Sequence, residues 1–294
     1  MLQRYEYVTK YTNNFIIFAI FLFFSKKSRN FAVLNCDKSV KIQQVLSALE
    51  QFAPLPLQES YDNAGVQIGL TEAEVSGALL CLDVTEKIID EAVAKGCNLV
   101  VSHHPLLFRG LKQVSDLNDV QCTVRKAIKN DVCVISMHTN LDNAKGGVNY
   151  KIAEKLGAKV LNPAEEEKQG LVLAELVQPM PAADFIAMVK ERFGAKCAMC
   201  NELLLRPIRQ VAICGGAGDF MLDEAIAEKA DAFITGEMHY HVYFGHEQEI
   251  QICVIGHYES EQYTTEIFRE IIERECPGVV CYMAETNTNP ILYF

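Results

Sequence analysis

Short apolar runs alternate with amphipathic segments from residue 40 onward, and this alternation limits what the chain can fold into. The runs at 75–84, 98–102 and 131–137 are mostly apolar, and the segments between them carry apolar residues at helical spacing. Strands become apolar throughout when helices cover both faces of a parallel sheet. The alternation therefore predicts an α/β fold with largely parallel sheets.

The same alternation starts afresh in the second half of the chain. The predicted strands are residues 170–178, 209–215, 231–235, 252–255 and 279–284. Helical spacing predicts helices at 181–193, 240–249 and from 257 to about 274. The turn Gly215-Gly216-Ala217-Gly218 lacks a full dinucleotide fingerprint and a phosphate-loop lysine, so we interpret it as a tight turn.

Residues 1–39 differ from the rest of the chain. They contain an unbroken apolar decamer, residues 15–24, with basic residues on both sides. Such a run is short for a spanning helix, which needs about 20 apolar residues. It has the length of a signal-peptide core, but no clean small-x-small cleavage site follows. The interpretation we favour is that translation starts near Val40, where a GTG start codon would be written as valine.

Composition argues against one class of partner and favours a reducing compartment. The formal net charge of −11 argues against sequence-independent nucleic-acid binding, which needs a basic surface. The eleven cysteines are irregularly spaced and do not predict a disulfide framework, so we expect a cytoplasmic protein whose core does not contact a membrane. The CxxC at Cys197 and Cys200 has no further zinc ligands nearby, and we expect it to be structural or incidental.

All seven histidines of the chain lie in stretches that follow predicted strands. They are His103, His104, His138, His239, His241, His246 and His257. In open α/β sheets, ligands bind outside the carboxyl ends of the strands. This distribution of histidines therefore predicts a functional site at those strand ends.

Two spacings in these stretches favour metal ions. Neighbouring side chains at the end of a strand diverge, so His103 and His104 are better placed to serve two ions than to chelate one. His257 and Glu261 are spaced i, i+4 and share a helix face, and Asp142 adds a carboxylate. This ligand set suits zinc, iron, manganese or nickel. The alternative is that Glu261 and Asp142 merely cap helices.

Five motifs occur in a fixed order along the chain. They are Tyr61-Asp62-Asn63-Ala64-Gly65, Ser102-His103-His104-Pro105-Leu106-Leu107-Phe108, His138-Thr139-Asn140-Leu141-Asp142, Thr235-Gly236-Glu237-Met238-His239-Tyr240-His241 and Gly256-His257-Tyr258-Glu259-Ser260-Glu261. On these motifs, residues 40–294 resemble the dinuclear-metal-centre family called Nif3-like, or GTP cyclohydrolase 1 type 2 homologues. The ligands of two divalent metal ions that the resemblance implies are His103, His104, Asp142, His257 and Glu261. It pairs His104 with Asp142 and His103 with His257, with Glu261 bridging the two ions.

The resemblance also implies an architecture. Residues 40–165 with 255–294 would form a metal-binding α/β domain, and residues 166–254 would form a second α/β domain interlinked with it. Residues 1–39 would be foreign to this core. Similar proteins assemble into a ring-shaped homohexamer with the metal sites facing inward, and the short span after Leu156 implies that this chain has no inserted domain.

The activity that the resemblance implies is the hydrolysis of GTP to 7,8-dihydroneopterin triphosphate and formate. Two adjacent ions lower the pKa of a shared water from about 15.7 toward 7. Candidates for a general acid or base, or for support of the ligand histidines, are Glu237, His241 and His138. Lys145 and Arg109 are weak candidates for phosphate binding. Two alternatives stay open: another hydrolase, such as a phosphoesterase, and a non-catalytic metal-handling or scaffold protein.

Overall fold

Helices and strands alternate in the structure, a computed structural model that describes residues 39–161 and 170–294. The strands are β1 (Gly65–Ile68), β2 (Ala78–Cys81), β3 (Leu99–Ser102), β4 (Cys133–Ser136), β5 (Lys159–Val160), β6 (Val172–Met180), β7 (Met199–Cys200), β8 (Ile208–Cys214), β9 (Ala232–Thr235), β10 (Gln251–Val254) and β11 (Cys281–Met283). The helices are α1 (Ile42–Phe52), α2 (Glu86–Ala94), α3 (Asp119–Lys129), α4 (Thr139–Asp142), α5 (Val148–Lys155), α6 (Ala182–Phe193), α7 (Leu222–Ala227), α8 (His257–Glu261) and α9 (Thr264–Glu275). The predicted α/β fold is confirmed.

The N-terminal predictions fall on residues that the structure does not describe. Apart from Ser39, the extension at residues 1–39 lies outside the described residues, and so does its apolar decamer. Within the described ranges, no helix is long and apolar enough to cross a membrane.

The first sheet has five strands in the order β1-β4-β3-β2-β11. The four strands from β4 to β11 run parallel, whereas β1 pairs antiparallel with β4 at one edge. Every residue of β2, β3 and β4 is buried. These strands are almost entirely apolar because both faces of the sheet are covered.

The second sheet has six strands in the order β5-β6-β8-β9-β10-β7. Its centre, β8, β9 and β10, is parallel. The pairs β5 with β6, β6 with β8, and β10 with β7 are antiparallel. The prediction of largely parallel sheets therefore describes the first sheet, whereas the second sheet is mixed. The division of the chain into two domains stays a prediction.

One buried apolar cluster joins the two sheets. It includes Leu80 and Val101 from the first sheet, Val211 and Ile234 from the second, and Phe268 from α9. Two smaller clusters cover the opposite faces of the sheets. Because the sheets share this core, their strand ends are held in a fixed relation to each other.

A short turn that contains polar residues joins β2 to the capped helix α2 at the edge of the first sheet. The side chain of Thr85 accepts a hydrogen bond from the Ile88 amide and so starts α2. Because β2 ends at Cys81 and α2 begins at Glu86, the short turn between them stays at the carboxyl edge of the sheet. Asp83 lies in this turn.

Three local predictions differ from the observed structure. The predicted helix at 240–249 is wrong: the chain there forms only a 3-10 turn at Tyr240–Tyr243. Gly245 (φ 86°) and Gln248 (φ 60°) have left-handed backbone conformations that an α-helix does not contain. The single helix predicted from residue 257 is two helices, α8 and α9. The predicted strands do not include β1, which has only four residues and pairs irregularly with β4.

Candidate metal centre

Four polar side chains lie close together at the carboxyl edge of the first sheet. His103 and His104 follow β3, and His138 follows the neighbouring parallel strand β4. The next turn of chain, α4, ends at Asp142. The carboxyl ends of parallel strands lie at one edge of the sheet, so these side chains gather there. The centroids of the three rings are 5.0 to 5.5 Å apart.

Helix α8 brings two more side chains from a distant part of the chain. It begins at His257 and ends at Glu261, so the i, i+4 spacing places both on one helix face. The two oxygens of the buried Glu261 face different histidines. Oε2 lies 2.9 Å from His104 Nε2 and 3.1 Å from His257 Nε2. Oε1 lies 3.7 Å from His103 Nε2.

The donor atoms form two groups, each within 4.8 Å, that share Glu261. One group is His103, Asp142 and Glu261, with His103 Nε2 at 3.5 Å from Asp142 Oδ1. The other is His104, His257 and Glu261. The five predicted ligands are therefore together, with one of the adjacent histidines in each of these groups. This grouping differs from the pairing that the family resemblance implies, which joins His104 to Asp142 and His103 to His257.

Hydrogen bonds at Nδ1 orient the histidine rings. The pairs are His103 with Met137 O at 2.8 Å, His104 with Asp83 Oδ1 at 2.7 Å, His138 with Asp62 Oδ1 at 2.8 Å and His257 with Glu237 Oε1 at 2.9 Å. Each partner is a carbonyl or carboxylate oxygen and accepts, so each Nδ1 carries a proton and donates. Nε2 is left to bind other groups, as in metal-binding histidines.

The surroundings of His103 test whether a cation fits here. Its side chain is fully buried, and among the described residues its Nε2 has no hydrogen-bond partner. Because Nδ1 donates to the Met137 carbonyl, a neutral His103 ring carries its lone pair on Nε2, facing oxygens of Asp142 and Glu261. A buried lone pair opposite two carboxylates is unfavourable without a cation between them. The residues therefore fit a metal ion.

The charges in this cluster depend on one another. Burial raises the pKa of Asp142 to about 6. Burial also acts to raise the pKa of Glu261, but the nearby charge of His103 and the hydrogen bonds with His104 and His257 outweigh it and hold that pKa well below its usual range. Burial disfavours the charged form of His104, yet hydrogen bonds with Asp83 and Glu261 raise its pKa to about 10. Since a histidine binds metal as a neutral ring, metal binding here would release protons.

Close backbone packing fixes the position of Glu261. A Cβ atom on Gly216 would lie 2.2 Å from Glu261 Oε1 and 3.5 Å from His257 Nε2, and the φ of Gly216 is 61°. A Cβ atom on Gly236 would lie 2.8 Å from the Cα atom of His257. Glycine at these two positions lets the strand ends of the second sheet approach α8 closely.

Most backbone amides of the glycine-rich turn donate hydrogen bonds to other parts of the protein. Its amide donors and their acceptors are Gly215 with Asn149 Oδ1, Gly216 with Ser260 Oγ and Gly218 with Thr235 Oγ1. A phosphate-binding loop leaves its amides free to point at the anion. The turn is therefore a tight turn packed against the cluster, in agreement with the interpretation from sequence.

A cavity of about 460 Å³ opens beside the cluster. The predicted ligands that line it are His104, Asp142, His257 and Glu261. Tyr61, Phe108 and Phe220 add aromatic surface, and Glu59 adds a further carboxylate. No lysine or arginine belongs to the lining as far as the chain is described. The cavity therefore combines a metal-type cluster with apolar walls.

His138 lies at the cluster and is held by a carboxylate. A ring nitrogen of His138 lies within 4.8 Å of ligand atoms of His103 and His104, and His138 lines the cavity. The side chain of its partner Asp62 is buried and also accepts hydrogen bonds from the backbone amide and the hydroxyl of Thr139. The structure thus places one of the three candidate acid–base residues where it can reach a bound molecule.

The other two candidates lie elsewhere. Glu237 bonds His257 on the side away from the cluster and does not line the cavity, so it orients that ring. His241 lies in the 3-10 turn after β9, stacks on Phe244 and does not line the cavity. The structure therefore assigns Glu237 a supporting position and does not bring His241 to the site.

Sequence reasoning gave no role to the two aspartates that orient the rings. Asp62 belongs to the first of the five motifs, and Asp83 belongs to none of them. Asp83 follows β2 at the same carboxyl edge as the histidines, so the signal that found the histidines would also have found it. Asp62 follows no strand, and its proximity to His138 depends on the fold of a loop.

The fold and the cluster define an α/β protein with a histidine–carboxylate site that can bind metal ions at its strand ends. The model of the Duf34/NIF3 (NGG1p interacting factor 3) family matches residues 40–290. The chain belongs to this family, which confirms the resemblance seen in the sequence.

Individual relatives agree with this assignment. A GTP cyclohydrolase 1 type 2 homolog from Clostridium acetobutylicum is 34% identical over 232 residues, which cover 76% of this chain and 86% of that protein. A protein of the same name from Campylobacter jejuni is 29% identical and covers 87% of this chain and all of its own length (100%).

Solved structures share the fold. A Staphylococcus aureus protein is 26% identical with a TM-score of 0.79, and the match covers 87% of this chain and 100% of that one. A Bacillus cereus protein related to NIF3 is 22% identical with a TM-score of 0.77, covering 88% of this chain and 100% of that one.

Proposed function

We propose that the chain is a metal-dependent hydrolase with two divalent ions, of the GTP cyclohydrolase 1 type 2 kind. The observation that carries this proposal is the position of Glu261, whose two oxygens face two separate sets of donors. His103 and Asp142 would hold one ion, and His104 and His257 the other. Ligands of this type suit zinc, iron, manganese or nickel.

The ions would supply one thing, a water whose pKa is lowered from about 15.7 toward 7, so that hydroxide forms at neutral pH. The chain supplies proton transfer, for which we propose His138. Burial opposes ionisation of Asp62, but hydrogen bonds from His138 and Thr139 lower the pKa of its carboxyl to about 2. The ionised Asp62 accepts the hydrogen bond from His138 Nδ1, which leaves His138 Nε2 to exchange a proton beside the cavity.

GTP is the substrate that the names of the relatives suggest. In the proposed reaction, GTP and water give 7,8-dihydroneopterin triphosphate and formate. The aromatic surface of Tyr61, Phe108 and Phe220 in the cavity wall suits a planar purine ring next to the cluster.

One observation favours a second candidate, a hydrolase with another substrate. Arg109 and Lys145, the weak candidates for phosphate binding, do not line the cavity, and no other lysine or arginine does within the described part of the chain. A triphosphate would meet Glu59 without a cationic side chain opposite it. A substrate with less negative charge, such as a simple phosphoester held by the ions themselves, fits this lining better. A third candidate is a non-catalytic metal-handling or scaffold role, which requires only that the cluster bind metal.

An assay with GTP separates these candidates. Protein loaded with each candidate metal is incubated with GTP, and formate and the fluorescence of oxidised pterin are measured. The proposal expects both products, and their loss in Glu261→Gln. His138→Gln should lower the rate at least tenfold with the metal retained, because general acid–base catalysis contributes about 10²–10⁴-fold, whereas His241→Gln should leave it unchanged.

Other results of this assay favour the other candidates. Hydrolysis of simple phosphoesters without pterin formation, abolished in Glu261→Gln, would favour the second candidate. Metal binding with no hydrolysis of either substrate would favour the third.

We also propose that the protein is a cytoplasmic homohexamer, on the strength of its family membership. The chain has a mass of 32.9 kDa, so light scattering should give six times that value. A monomer mass at micromolar concentration would contradict the hexamer. Cell fractionation tests the compartment.

A further inference from the structure

Cys200 and Cys253 lie opposite each other on neighbouring strands. Cys200 ends β7, the edge strand of the second sheet, and Cys253 is its partner in the antiparallel strand β10. Directly opposed residues of an antiparallel pair project their side chains from the same face of the sheet. The two thiols are therefore neighbours in space.

Backbone hydrogen bonds identify the geometry of this pair. The amides of Gln251 and Ile255 donate to carbonyl oxygens along β9, so Cys253, two residues from each, also turns its backbone groups toward β9. The amide of Ile252 donates to the other side, toward β7. Cys200 and Cys253 thus form a pair without mutual backbone hydrogen bonds, in which Cα atoms lie about 4.5 Å apart. Disulfides join Cα atoms about 4.4–6.8 Å apart, so no large backbone movement is needed.

The two thiols differ in accessibility. Cys200 is exposed and Cys253 is buried. Burial raises the pKa of the Cys253 thiol to about 12, and the charge of Cys200 adds to this effect, in agreement with their proximity. A dissolved oxidant therefore reacts with Cys200 first, and the buried thiol of Cys253 reacts in the second step.

The CxxC motif offers a competing pair that the structure disfavours. Cys197 is exposed and lies three residues before Cys200. Residues 197 and 198 form no turn or helix, and they lead directly into β7. Residues three apart on an extended chain are separated by about 10 Å, which is beyond the reach of a disulfide.

We propose that Cys200 and Cys253 form a cross-strand disulfide when the protein meets a small disulfide such as oxidised glutathione. The Cys200 thiolate attacks one sulfur of the small disulfide, whose S–S bond breaks, so that a mixed disulfide forms and one small thiol leaves. The Cys253 sulfur then attacks the Cys200 sulfur, and the second small thiol leaves with the proton of Cys253. Two protein thiols are oxidised, and one small disulfide is reduced to two thiols.

The new bond would fasten the edge of the second sheet. It would tie β7 to β10, the strand that leads through Gly256 into the candidate ligand His257. Exposed disulfides are the ones that reductants reverse most readily, so the bond would open again under reducing conditions.

Peptide mapping tests this proposal on the folded, full-length protein. The reduced protein is incubated with oxidised glutathione, its remaining thiols are alkylated, and its peptides are identified by mass spectrometry. We expect a peptide pair joined through Cys200 and Cys253, and a fall of two from the eleven thiols of the chain. Cys197→Ser is the matched control and should form the same link.

Two variants test the proposal, and three outcomes would overturn it. Cys200→Ser should form no link, and Cys253→Ala should keep a stable glutathione adduct on Cys200. A link between Cys197 and Cys200 in the unmodified protein would overturn the proposal. A glutathione adduct on Cys200 that never resolves, or no reaction at Cys200, would overturn it as well.

Discussion

The histidines that follow strands fall into two sets with different surroundings. One set converges and consists of His103, His104, His138 and His257. The other set lies outside the cluster and consists of His239, His241 and His246. Members of both sets bond carboxylates, for example His257 with Glu237 and His239 with Asp219. The side chain of His103 is 0% exposed, whereas that of His239 is 88% exposed.

A histidine held by a carboxylate at a strand end is not sufficient to form a metal-type site. A histidine with a carboxylate at Nδ1 occurs in both sets, so that feature does not distinguish them. The converging set also has Glu261, a buried carboxylate that faces three Nε2 atoms. The set outside the cluster has no such group among the described residues.

The largest expected effect is the loss of metal from the converging set. In His104→Ala, elemental analysis should find the metal content of purified protein falling from about two ions per chain to one or fewer, because one donor group loses its histidine. His239→Ala should keep the full content. Equal metal content in both variants would remove the distinction between the two sets.

Removing an orienting carboxylate should have an intermediate effect. Asp83→Asn replaces the acceptor that fixes the His104 ring. Such partners typically contribute about 10–100-fold to metal affinity, and we expect a loss in that range by competition with a chelating dye. The matched change Asp219→Asn, at the partner of the surface residue His239, should leave the affinity unchanged. A similar loss in both variants would point to a general effect of charge.

Substitution of a glycine that packs against Glu261 should lower the stability more than substitution of a glycine with open space around it. Gly216 and Gly96 both have positive φ values, 61° and 72°, so alanine costs roughly 1–2 kcal/mol of backbone strain at either position. Only at Gly216 would the new Cβ atom also collide with Glu261, because nothing lies within 4 Å of a Cβ atom at Gly96. Gly216→Ala should therefore lower the free energy of urea unfolding by about 1 kcal/mol more than Gly96→Ala does.

The smallest expected effect is a dependence of stability on pH. The pKa of Asp62 is lowered to about 2 from 3.8, so its contribution is complete above about pH 4 and is lost as the pH falls toward 2. In metal-free protein, the difference in free energy of unfolding between unmodified chain and Asp62→Asn should shrink by about 1 kcal/mol from pH 6 to pH 3. Asp219→Asn, beside an exposed histidine, should show a smaller change. A constant difference for Asp62→Asn would contradict the assigned ionisation.

Sequence reasoning reached the ligands because they follow easily recognised strands. β3 and β4 are apolar except for a terminal serine, and His103, His104 and His138 come within two residues of their ends. The spacing of His257 and Glu261 was informative for the same reason, since α8 is helical over that interval. These signals are local, so a single sequence carries them.

The grouping of the ligands is not local and could not be derived from spacing. It depends on where α8 lies against the first sheet, which is set by the shared core and by the close approach of Gly216 to Glu261. The failed helix at 240–249 has a related cause. Its apolar spacing is helical, but the backbone at Gly245 and Gln248 is fixed by contacts such as the hydrogen bond from Gln248 Nε2 to Leu203 O.

The hydrogen bond between His104 and Glu261 joins residues 157 positions apart. A contact of this range closes a long loop of chain, so it forms only when most of the molecule has already folded. Ions that need both residues therefore bind the native chain and not its unfolded or half-synthesised forms. At a free concentration 100 times its dissociation constant, such an ion adds about 2.7 kcal/mol to the stability of the native state. Scarcity of metal would then lower the amount of folded protein in the cell as well as its activity.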